Sequence, residues 1–203
     1  MKPWIFSSDR VARFVLISLI ACVYAGCVMI SNHFLFFWAG DEPYRYWLYP
    51  PAGLRLLLIM LLGFPAVIGI GIASATIYIS PIVPEITGHS FALILGFTES
   101  LSVYYALRFY GTIAGVQYPW TGLSWRHIPV IAVLCSTATA FFSNAVRIIL
   151  NLGNVSSLDR DITLNIIGDI FGTTLLLGLL IIAHKSHLAY TTKISSAQMR
   201  SAK

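Results

Sequence analysis

Apolar stretches, most of them of bilayer-crossing length, follow one another along almost the whole chain, and this constrains the fold more than any single motif does. Residues 12–30, 52–62, 66–79, 89–109, 129–150 and 162–183 are each predicted to be a membrane span. The expected fold is therefore all-α, a polytopic membrane helical bundle of six transmembrane spans, or five if residues 52–79 form one kinked helix. The hairpin alternative is preferred. Gly63 and Pro65 interrupt the stretch, and residues 50–79 as one helix would measure roughly 45 Å against a hydrocarbon core of roughly 30 Å. Pro50 and Pro51 suit a first helical turn, where a missing N–H is no loss.

With 57% hydrophobic and 10% charged residues, the chain lacks the polar surface of a soluble domain. The spans use up most of the 203 residues. One transmembrane domain over residues 1–185 and a polar cytoplasmic tail over residues 186–203 are expected. No soluble catalytic, kinase or nucleotide-binding module fits beside them.

The net charge of +5 could suggest nucleic acid, but the positions of the basic residues argue otherwise. Lys2, Arg10 and Arg13 precede the first span, Arg108 and Arg126 bracket a middle loop, and Lys185, Lys193, Arg200 and Lys203 follow the last span. The remaining loops hold Asp41, Glu42, Glu85, Asp159 and Asp161 against only Arg45 and Arg160. This is the positive-inside pattern. It predicts a multi-pass protein of the bacterial cytoplasmic (inner) membrane with both termini in the cytoplasm, the lipid bilayer as its partner and no nucleic acid. Aromatic residues between His33 and Tyr49, and Tyr118, Trp120 and Trp125 on the other side, are suited to the headgroup level.

Enzyme chemistry finds little footing. Cys22, Cys27 and Cys135 fall within spans without a C-x-x-C pair, and read as buried small hydrophobes. No H-E-x-x-H, G-x-S-x-G or cysteine cluster is present. Neither a metal nor another cofactor is expected, and the chain reads as a non-enzyme. The first apolar stretch lacks an A-x-A cleavage pattern and reads as a retained span.

Four charges lie inside the apolar stretches: Arg55, Glu99, Arg147 and Asp169. Charges in lipid need partners or a wet cavity. Counted at 1.5 Å per residue from the outer ends, they lie roughly 5 Å (Arg147), 7 Å (Arg55), 10 Å (Asp169) and 15 Å (Glu99) deep. All are in the outer half or at the midplane. Asn144 shares a helical face with Arg147, Asn165 and Thr173 share one with Asp169, and Ser102 follows Glu99 by three residues. Two readings remain open. Either Arg55 and Arg147 pair with Glu99 and Asp169 to fix helix packing, or Arg55, Glu99, Asn144, Arg147, Asn165 and Asp169 form a ligand site in which a guanidinium fork holds a small anionic molecule.

The run Tyr49-Pro50-Pro51-Ala52-Gly53-Leu54-Arg55-Leu56, followed by the Gly63/Pro65 break, resembles the opening motif of the membrane-associated sensor domain of the first MASE class. Gly168-Asp169-Ile170-Phe171-Gly172 resembles that family's Gly-Asp-x-x-Gly element. The Arg after the Pro-x-Gly-Leu run is also similar to the membrane half of the hexose-phosphate sensor kinases. These likenesses imply a bacterial integral membrane sensory domain and point to Arg55 and Asp169. They say nothing specific about Glu99 or Arg147. No output domain follows Lys185, so signalling through a membrane partner protein is the expectation. The alternatives are a substrate-binding subunit of a membrane transporter and a structural membrane assembly subunit.

Overall fold

The computed structural model describes residues 10–39, 48–79, 89–116, 126–151 and 162–179. Aromatic residues Phe36, Phe37, Trp38, Tyr44, Tyr46 and Trp47, then Tyr118, Trp120 and Trp125, and the basic tail lie outside the described side chains.

The described residues are helical, and no strand occurs among them. The helices are α1 (Arg10–Ala39), α2 (Pro50–Leu62), α3 (Phe64–Ile79), α4 (His89–Ala114), α5 (His127–Ile149) and α6 (Ile162–Leu179). Four of them, α1, α4, α5 and α6, are long and apolar enough to cross a membrane. The other two are shorter: α2, with 13 residues, is about 20 Å long and α3, with 16, about 24 Å.

Between these two the chain reverses at Gly63, whose φ of 67° and ψ of −137° are open to glycine and strained for any side chain. The reversal is visible in the contacts. Arg55 of α2 and Tyr78 of α3 both reach the carboxylate of Glu99. On one continuous helix they would stand about 35 Å apart. The alternative of a single kinked helix over residues 52–79 is thereby overturned, and α2 begins on the side where α3 ends.

Helix α3 occupies the centre, packed between α1 and α4. Its small residues permit this. A Cβ at Gly96 of α4 would fall 2.6 Å from the Gly71 carbonyl oxygen, so the two backbones touch. Ile20, Tyr24 and Val28 of α1 close the other side of a core that includes Val67, Ile70 and Ile77.

The distribution of polarity is inverted relative to a soluble protein. Phe14, Leu19, Phe34, Phe109, Phe141 and Phe171 are exposed, whereas Arg55, Ser100, Ser136, Thr139, Asn144 and Asp169 are buried. Water would penalise both halves of that arrangement, and lipid rewards both. Cys22 follows the same logic and corrects the sequence expectation, for it is exposed on α1 and Cys27 is half-buried, while Cys135 is buried.

Candidate functional site

Tyr49, Pro50 and Pro51 set the start of α2 against α6. The Tyr49 N–H donates to the Gly168 carbonyl oxygen at 2.9 Å. Gly172 then lies so close that a Cβ there would come 1.9 Å from the Tyr49 carbonyl oxygen. Gly53 is similarly confined, its Cβ position 2.9 Å from the Thr173 Cα. The two helices therefore meet backbone to backbone, with a glycine from each, and bring two charged side chains together.

Those side chains are Arg55 and Asp169. The Arg55 Nη2 donates to the Asp169 Oδ2 at 2.9 Å, and Nη1 donates to the Glu99 Oε2 of α4 at 3.3 Å. Arg55 is 3% exposed, Asp169 10% and Glu99 15% at their side chains. One guanidinium thus bridges carboxylates from two other helices inside the bundle. The Tyr78 hydroxyl of α3 donates to the second oxygen of Glu99. Tyr24 of α1 is buried within electrostatic reach of all three charges. Five helices converge here.

Of the four charges singled out in the sequence, three are in direct contact. Arg147 is half-buried on α5, with Tyr78 within its electrostatic reach. It does not enter the Arg55 fork. The Asn144 amide donates to the Ala140 carbonyl of its own helix at 2.7 Å. Asn165 is half-buried one turn before Asp169, and no hydrogen bond among the described residues joins the two. Thr173 does share the face of Asp169, as expected, and is buried. The Ser102 hydroxyl stands 2.9 Å from the Glu99 backbone carbonyl and 3.3 Å from the Thr139 hydroxyl of α5, so its one proton serves either of these and not the carboxylate.

Three features escaped the sequence reading. Tyr78 was one more aromatic near a span end, and Tyr24 one more in a span. The third carried a usable signal: Ser136, Thr139, Ser143 and Arg147 recur at three- and four-residue spacing, which marks one polar face of α5. The first three are buried.

Chemically, the arrangement holds two carboxylates in place through a rigid donor fork and one phenol. No group of three or more His, Cys, Asp and Glu residues able to hold a metal occurs among the described residues.

Removing the phenol tests the weaker arm. Tyr78→Phe is expected to cost about 1–2 kcal/mol, the range of a hydrogen bond to a charged group moderated by membrane surroundings, in detergent-titration unfolding. A cost near zero would mean that Arg55 alone positions Glu99.

Compared with family models, curated proteins and solved structures, the chain matches none.

Proposed function

We propose that the chain is a non-enzymatic sensory and ligand-binding module of a bacterial inner membrane, with the α2–α3 hairpin supplying two of six membrane crossings and both termini in the cytoplasm. The observation that carries this reading is the Arg55 bridge. It concentrates the contacts of α2, α4 and α6 in one guanidinium, so a change of partner at that group loosens three helices at once.

An acidic small molecule arriving from the outer side would compete with Glu99 or Asp169 for the fork. Its differential affinity for the loosened arrangement would shift the helix equilibrium. A membrane partner protein would read that shift. The resemblance to membrane-associated sensor domains supports the same site, because the two segments that carry it, residues 49–56 and 168–172, are in backbone contact.

The test is a thermal-stability screen in lipid nanodiscs against acetate, inorganic phosphate and sugar phosphates. The reading predicts that at least one of them shifts the midpoint, and that Glu99→Gln, which frees one arm of the fork, strengthens the response. If none shifts the midpoint of either protein, the sensory reading fails. Uptake of a responding anion into proteoliposomes would replace it with the transporter-subunit reading.

A further inference from the structure

Arg55 uses two of its three nitrogens. Its Nε is buried and has no hydrogen-bond partner, one of only two such buried side-chain atoms among the described residues. A guanidinium is planar, and its Nε–H lies along the same edge as the Nη2 that bonds Asp169. The orphaned donor therefore faces the Asp169 side of the fork.

On that side lies a cavity of about 10 Å³, lined by Arg55, Ser136, Thr139, Asp169 and Thr173 together with apolar neighbours. This volume is about that of one water molecule. The chemistry of the walls selects among species of that size. A cation would meet the guanidinium N–H, and an anion would meet the Asp169 carboxylate. Water alone can accept from the first and donate to the second. No hydrogen bond among the described residues occupies the Ser136 or Thr173 hydroxyls, so further partners are at hand.

We propose that this cavity is a binding site for a single buried water, which accepts from the Arg55 Nε–H, donates to Asp169 and joins the polar face of α5 to the charge cluster. Thr139, Cys135 and His127 of α5 are hydrogen-bonded to α4. The water adds a link between α5 and the α2–α6 contact. This inference does not rest on the sensory reading, which stands or falls on the response to anions.

The experiment is proton-detected solid-state NMR of arginine-labelled protein in lipid bilayers, with the Arg55 Hε signal identified by its loss in Arg55→Lys. Wild-type protein is expected to show magnetisation transfer between water and Hε. In Ser136→Val, which removes a hydroxyl and places a methyl group in the cavity, that transfer should fall at least tenfold while the Nη contacts to Glu99 and Asp169 remain. Should Ser136→Val not fold, a water-soluble paramagnetic quencher added to wild-type protein makes the distinction: an enclosed water keeps its cross-peak, whereas bulk solvent loses it. The proposal is overturned if Hε shows no water contact and couples directly to the Asp169 carboxyl, if the transfer survives Ser136→Val unchanged, or if the quencher abolishes it.

Discussion

Arg55→Met is expected to lower the unfolding free energy by about 3–5 kcal/mol, the range for removing one partner of a buried ion pair. Two magnitudes compete here. Polar contacts between membrane helices average only about 1 kcal/mol, because the separated helices find other partners. That average describes groups whose loss leaves little behind. Removing Arg55 leaves two carboxylates from different helices facing a recess where the guanidinium had been 3% exposed, so the cost of stranded charge decides. Detergent-titration unfolding checks the value. Glu99→Gln and Asp169→Asn introduced into the Arg55→Met background should restore most of the loss, since no carboxylate then lacks its counter-charge. A single-variant cost of 1 kcal/mol or less would show that the fork is incidental to the fold.

Gly172→Ala should be comparably damaging for a reason unrelated to charge. Its Cβ would stand 1.9 Å from the Tyr49 carbonyl oxygen, a backbone atom, so relief requires α2 to move away from α6. Overpacking of this kind costs about 3 kcal/mol, and the displacement also stretches the Tyr49 to Gly168 hydrogen bond and the Arg55 to Asp169 pair. Gly178, two turns further along α6, has nothing within 4 Å of its Cβ position. Gly178→Ala should therefore be neutral, or stabilising by up to about 1 kcal/mol through helix propensity. Equal effects at the two glycines would place the α2–α6 contact elsewhere.

These two sites also show where sequence reasoning succeeds and where it stops. The start of α2 at Pro50 and Pro51 was legible because proline restricts the backbone locally, and the break at Gly63 because glycine alone takes a positive φ without strain. The all-helical class followed from apolar run lengths, and burial of the charged residues from the cost of charge in lipid. The six-span count was only partly legible. The α2 and α3 helices are each shorter than a hydrocarbon core, and composition cannot distinguish short crossings from a hairpin dipping into the bilayer.

Partner choice was less accessible still. Arg55 and Asp169 are 114 positions apart, and nothing local states which carboxylate a guanidinium meets. Arg147 looked equivalent to Arg55 by depth and residue type, yet only Arg55 lies on the helix that glycine contacts press against α6. Asn144 illustrates a second limit. A shared helical face says which way a side chain points, but an amide can satisfy itself on its own turn, and here it does. Tyr78 shows the converse: aromatic residues near span ends are so commonly interfacial that one hydrogen-bonded to Glu99 carried no distinguishing mark.

The central claim is that one guanidinium inside the bundle holds carboxylates from two other helices. The most direct test is a solid-state NMR dipolar dephasing measurement between Arg55 side-chain nitrogen and the Asp169 and Glu99 carboxyl carbons in lipid bilayers. The 2.9 Å and 3.3 Å contacts predict strong dephasing to both carbons, steeper for Asp169. Dephasing to neither carbon, in protein that is otherwise folded, would contradict the account.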